Sequence, residues 1–285
     1  MKITEKMENK HEKKYLRMTL NERIQHFLFL ISFIVLVITG FGLKYPEAFW
    51  VIWIRSIVGD NAFELRGIVH RVAAVVMIAD SIYHIFYVII TKRGRKLLSD
   101  LWFTKKDLTD LIGTLKYYIG KSDTKPKYGR FSYIEKSEYW ALVWGTVVMS
   151  VTGIFLWITE IFLPIISPFG MEISTAIHFY EAILASLAIV VWHFYFVIYN
   201  PNVYPLNKAF ITGYLTREEM EHEHPLELEE IDKMENETAE KINIIEEKDV
   251  NSELSPDIHS NKKLENDTKT EEEINKTGTN ELKIK

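Results

Sequence analysis

Four long apolar runs, separated by polar segments of very different charge, set the pattern of this chain. They read roughly Ile24–Leu43, Gly67–Ile90, Tyr139–Ile158 and Ile173–Tyr199. Each reaches the roughly 20 apolar residues that carry an α-helix across a bilayer. A fifth apolar stretch, Ala48–Val58, contains Arg55 and is too short to span, so it is expected to lie in the interface. Trp and Tyr gather at the ends of the runs, as an aromatic belt would place them. The first and third runs share a short echo, Ile38-Thr39-Gly40-Phe41 against Val151-Thr152-Gly153-Ile154. It suits either two related hairpins or two helices that each need a glycine for close approach.

Charge adds an orientation. Residues 1–23 carry seven Lys and Arg and residues 92–137 carry twelve, against three in 44–66 and none in 161–172. The positive-inside rule puts both termini and the long second connection in the cytoplasm. The first twenty residues show no apolar run or small-residue cleavage site, so the first span is expected to stay as an anchor. The acidic end is different in kind. Residues 226–285 hold 18 acids, 9 bases and no aromatic residue, which leaves too little apolar surface to offset ordering entropy.

The expected fold is therefore an all-α membrane protein: a four-transmembrane-helix bundle with a disordered acidic C-terminal tail. Its expected divisions are a basic cytoplasmic N-terminal segment (1–23), a transmembrane domain (24–215) and the tail (216–285). The expected location is a bacterial or archaeal cell inner membrane, crossed several times.

There are no cysteines, which excludes disulfides, iron–sulfur clusters and covalently attached haem. Histidine and methionine are the remaining candidates to hold a redox centre, and the histidines are the informative ones. His11, His222, His224 and His259 lie in polar segments, but His26, His70, His84, His178 and His193 lie within the expected spans. Ionisable side chains at membrane depth are costly and rare, so five in four helices call for a ligand. On an ideal helix His70 and His84 fall ~40° from alignment and ~21 Å apart along the axis. His178 and His193 fall ~60° off and ~22 Å apart. The second and fourth spans thus each offer one histidine near either membrane face. Opposed helices of this kind can clamp two flat cofactors, and haem iron accepts an imidazole on each axial side. Topology pairs His70 with His178 at the outer level. At the inner level His84 and His193 stand together, with His26 competing.

Neighbouring charges fit. Arg66 lies one turn outward of His70 and Arg23 three residues outward of His26, and Arg71 is a second candidate outside; all three suit haem propionates or ordinary snorkelling. Asp80 and Glu181 lie deep in spans, where each suits either a hydrogen bond to a ligand imidazole or proton transfer to a quinone.

These motifs resemble the bacterial di-haem cytochrome b subunits that anchor formate dehydrogenases, nickel hydrogenases and thiosulfate reductases. The carrying residues are Glu22-Arg23-Ile24-Gln25-His26, Thr39-Gly40, His70-Arg71, Lys127-Tyr128-Gly129-Arg130-Phe131 leading to Glu135-Lys136, and His178 with His193. The resemblance covers about residues 15–215. It implies two non-covalent haem b groups, the outer on His70 and His178 and the inner on His26 and His193. It also implies a site for menaquinone or ubiquinone beside the inner haem. His84 departs from that pattern. Two histidines on each of two helices resembles instead the cytochrome b of quinol–cytochrome c reductases, which leaves the inner ligand open between His26 and His84.

The function expected is a membrane electron conduit between a quinone pool and a redox partner subunit. That partner is a molybdoenzyme, a hydrogenase, or an iron–sulfur or multihaem cytochrome protein, and it carries the substrate chemistry. Nothing in the chain suggests nucleic acid as a partner. The rival reading is a proton-coupled transporter that uses the intramembrane His, Asp and Glu residues without haem. An intramembrane metalloprotease is disfavoured because no HExxH motif is present.

Overall fold

A computed structural model describes residues 13–59 and 61–253, with side chains to residue 246. The four apolar runs become α1 (Leu20–Lys44), α3 (Ala62–Ile90), α6 (Tyr133–Trp157) and α7 (Thr159–Leu187). The short stretch becomes α2 (Phe49–Val58), ten residues long. All four long helices are apolar and long enough to cross a membrane, the fourth as the helical stretch Thr159–Tyr199 that runs on past Leu187. Their burial is inverted relative to a water-soluble bundle. On α1 the buried residues are Glu22, Gln25, Ser32, Thr39 and Gly42, while Ile31 and Ile38 are 59% and 49% exposed. Lipid is as apolar as isoleucine, so such helices bury their small and polar residues and leave the apolar ones outside.

The helices pair as two hairpins, α1 with α3 and α6 with α7. The seams have a seven-residue period, as closely packed helices of shallow crossing require. Gln25, Ser32 and Thr39 line it on α1, Ala73, Asp80 and Tyr87 on α3, and Gly145 and Thr152 on α6. Both hairpins open with the same device, a capping box: Thr19 with Glu22 before α1, and Ser132 with Glu135 before α6.

These correspondences extend the echo seen in the sequence. Tyr15 and Tyr128, Arg17 and Arg130, Thr19 and Ser132, Glu22 and Glu135, Thr39 and Thr152, and Gly40 and Gly153 are all 113 positions apart. The alternative of two related hairpins accounts for all of these pairs. A need for a single glycine accounts for one.

The fourth span differs from a plain helix in two places. Ser167, between Pro164 and Pro168, has φ 64° and ψ 164° and breaks the helix where the connection turns into the span. Pro168 disfavours the helical conformation for the residue before it. Further on, the chain becomes π-helical over Ala188–His193 and Tyr195–Tyr199.

Between the hairpins run α4 (Lys92–Asp100) and α5 (Lys105–Tyr118). After α7 follow α8 (Ala209–Thr212), α9 (Arg217–Glu223) and α10 (Pro225–Glu253). β1 (Tyr15–Leu16) pairs antiparallel with β2 (Tyr214–Leu215), Tyr15 opposite Leu215. Arg17 completes this clasp, donating to Glu227 at 2.5 Å and to the Arg130 carbonyl at 2.7 Å. Met220, His224 and Leu228 are 1%, 4% and 4% exposed. The boundary expected at residue 216 therefore falls inside the clasp, and the folded unit runs to Leu228. A second unit begins at Glu229, where α10 continues to Glu253 with mostly exposed side chains. The rest of the expected tail, 254–285, lies outside the described residues.

Candidate haem sites

His70 on α3 faces His178 on α7 across the gap between the hairpins. Their ring centroids are 6.5 Å apart with the planes at 68°. Two imidazoles sharing one metal at about 2 Å per bond place their centroids about 6 Å apart. The two rings are held by matching parts. Thr39 Oγ1 lies 2.9 Å from His70 Nδ1, and Thr152 Oγ1 lies 2.9 Å from His178 Nδ1. Each threonine already donates its one hydroxyl proton up its own helix, to Val35 at 2.6 Å and to Val148 at 2.7 Å. The hydroxyls must then accept from Nδ1–H, which leaves Nε2 of both histidines unprotonated, the form that binds metal. Beside each threonine is a glycine whose Cβ would come within 3.2 Å of the facing histidine, Gly40 against His70 and Gly153 against His178. Here the glycines serve ring packing.

The other level lies toward the N-termini of α1 and α6. His193 ends the first π-helical segment, and its Nδ1 donates to Glu138 Oε2 at 3.2 Å. His26 is close enough to His193 for the two imidazoles to interact electrostatically. Its Nδ1 is buried without a partner, and its ring packs on Phe210 with centroids 5.5 Å apart. His84 is differently placed. Its Nδ1 donates to Gln25 Oε1 at 2.8 Å and its Nε2 accepts from the Tyr139 hydroxyl at 3.2 Å. Both of its nitrogens are occupied by protein.

The repeat explains this arrangement. Gln25 corresponds to Glu138 and His26 to Tyr139, at the same separation of 113. On the second helix of each hairpin His70 and His84 are 14 apart, whereas His178 and His193 are 15 apart. A π segment accommodates one extra residue, and such segments recur at functional sites. The ~60° offset expected for His178 and His193 assumed an unbroken α-helix; the π-helix absorbs the added residue.

The charged candidates divide. Arg66 Nε and Arg23 Nε are buried without partners, though Arg23 Nη1 also donates to the Ile211 carbonyl. Arg71 instead lies over the Trp157 ring, 5.7 Å from its centroid. Neither deep carboxylate backs an imidazole: Glu181 lies against Gly145, and Asp80 is buried in the α1–α3 seam. Thr39, Thr152, Gln25, Glu138 and Tyr139 back the imidazoles instead, a role that their place in the sequence does not announce. The repeat, followed beyond its four-residue echo, was the signal that finds them.

These residues fit haem. Facing imidazoles have a free Nε2 and a centroid spacing suited to one iron, and buried guanidinium nitrogens lack an acceptor. Among the described residues no three His, Asp or Glu side chains converge to hold a bare ion. Paired imidazoles are the donor set that would hold a haem iron.

Comparison with known proteins agrees. A family model described as prokaryotic cytochrome b561 matches residues 17–213. The cytochrome b556(fdo) subunits of formate dehydrogenase from Escherichia coli K12 and from E. coli O157:H7 are each 25% identical over 224 residues. The match covers 79% of this chain and 96% of each relative.

Proposed function

The chain belongs to the prokaryotic cytochrome b561 family, and from that premise we propose that it holds two haem b groups and links a quinone pool to a membrane-bound redox enzyme. Membership makes it a transmembrane, electron-transferring cytochrome b. The enzyme partner we propose is of the formate dehydrogenase type, after the relatives' names. The observation that carries the reading is the pair His70 and His178, facing each other with both Nδ1 atoms fixed by threonine.

We assign His70 and His178 to the outer haem and His26 and His193 to the inner one. His84 is the odd histidine because Gln25 and Tyr139 occupy its ring. When bound, haem supplies reversible one-electron transfer without an open site for oxygen. The protein's part is to fix each ligand tautomer, exclude water and offer Arg66 and Arg23 to carboxylates near the two faces. The excess of Lys and Arg at the N-terminus and second connection supports both termini lying in the cytoplasm. A quinone, menaquinone or ubiquinone, is assigned to the inner level. There His84 and Tyr139 share one hydrogen bond, and its reversal would pass a proton between them.

Pyridine haemochrome assay of the purified chain should give two b haems, and a quinol should reduce them. A value near one contradicts the second site. Absence of haem returns the chain to the rival reading, a proton-coupled transporter.

A further inference from the structure

Four intramembrane histidines have a named partner at Nδ1, and three of the partners are neutral. His70 and His178 donate to threonine hydroxyls, and His84 to the Gln25 amide. His193 alone of the four donates to a carboxylate, that of Glu138. The repeat sharpens the contrast, because Gln25 and Glu138 occupy the same position in their hairpins. One hairpin places an amide behind the later histidine of its second helix, and the other places a carboxylate there.

The second carboxylate oxygen adds to this. Glu138 Oε1 is buried with no hydrogen-bond partner, so the hydrogen bond from His193 is the one the carboxylate is shown to accept. A carboxylate accepting from Nδ1–H pulls the proton toward itself and makes the imidazole a stronger donor through Nε2. A stronger axial donor favours the more positive state of the iron. Axial ligation and the hydrogen bonds behind it are the protein's levers on haem potential.

We infer that Glu138 is a positioning residue that lowers the potential of the haem on His193, setting it apart from the haem on His70 and His178. This rests on the assignment of His193 as a ligand. The outer pair, backed by neutral hydroxyls on both sides, has no comparable lever.

The test is Glu138→Gln in the full chain, which installs the amide that the first hairpin carries at Gln25. Haem content is measured first, then both midpoint potentials by optical redox titration. Two haems should be retained, with one midpoint moved upward and the other unchanged. Thr152→Val should leave the Glu138-sensitive midpoint where it is. If Glu138→Gln keeps both haems and neither midpoint rises, the inference is overturned. If it loses a haem, Glu138→Asp is titrated instead, with a smaller rise expected. Loss of haem from both variants makes Glu138 a structural support only and also overturns the inference. The ligand assignment fails separately, through a His193→Ala variant that still carries both haems.

Discussion

In the first hairpin His84 has both ring nitrogens engaged by protein, Gln25 on one side and Tyr139 on the other. In the second, His193 engages one nitrogen with Glu138 and lies within electrostatic range of His26. The two hairpins are otherwise closely alike. They share the capping box, the threonine behind the first histidine, the glycine beside it, and even the carbonyls to which the threonines donate. Where the repeat holds, at His70 and His178, it yields a symmetric pair. Where it is broken, by His26 against Tyr139 and Gln25 against Glu138, one crossed pair becomes histidine–histidine and the other histidine–tyrosine. The proposed assignment of the inner haem to His26 and His193 follows from that difference, since tyrosine in place of one histidine leaves the other pair a single imidazole ligand. Two substitutions in a duplicated frame are enough to give the two halves different chemistry.

The strongest way to break this comparison is at the symmetric level. His178→Ala and His70→Ala should each remove one haem and leave the other, so the haemochrome count falls from two to one. Retention of both haems in either variant would show that the facing pair is not a ligand pair. The broken level gives the next test. His26→Ala should lose the second haem, while His84→Ala should keep both and slow only reduction by quinol. The reverse outcome, with haem lost on changing His84, would restore the full symmetry of four histidines on two helices.

Much of this was legible in the sequence because membrane depth makes charge conspicuous. The four spans and five histidines stood out as apolar runs and costly exceptions within them. What was hidden has particular causes. The third span was expected to begin at Tyr139, but α6 starts at Tyr133, so Glu138 lay outside the window in which a carboxylate would have drawn notice. Thr39 and Thr152 stood in the repeated motif, but nothing there marked them as imidazole partners, because threonine commonly bonds back to its own helix in a membrane. The π-helix around His193 has no Gly or Pro to announce it. Its trace was the spacing of 15 in place of 14. Residues 216–228 were averaged into an acidic tail whose composition hid the buried Met220 and His224.

The smallest expected effect concerns how each hairpin is tied to the segment between them. In the first, Glu22 accepts from Arg93 Nε at 2.9 Å and from the Tyr87 hydroxyl at 2.8 Å. In the second, the ammonium of Lys136, which corresponds to Arg23, donates to both oxygens of Asp107 at 2.9 Å. Both side chains of that pair are under 10% exposed. Burial pushes the Asp107 carboxyl up, but the Thr104 amide and Lys136 outweigh it and hold it below the ordinary carboxylate value. A depressed folded value means the stabilisation is full above the unfolded pKa and is lost as pH falls through the folded one. Asp107→Ala strands a buried ammonium, which costs about 3 kcal/mol. Thermal unfolding in detergent should show a lower Tm for Asp107→Ala near neutral pH. Because haem sites are untouched, the haemochrome count should stay at two. On acidification below the usual carboxylate range, the wild-type Tm should fall toward that of the variant. A gap that stays constant as pH drops would mean that the pair contributes through packing and not through its charge.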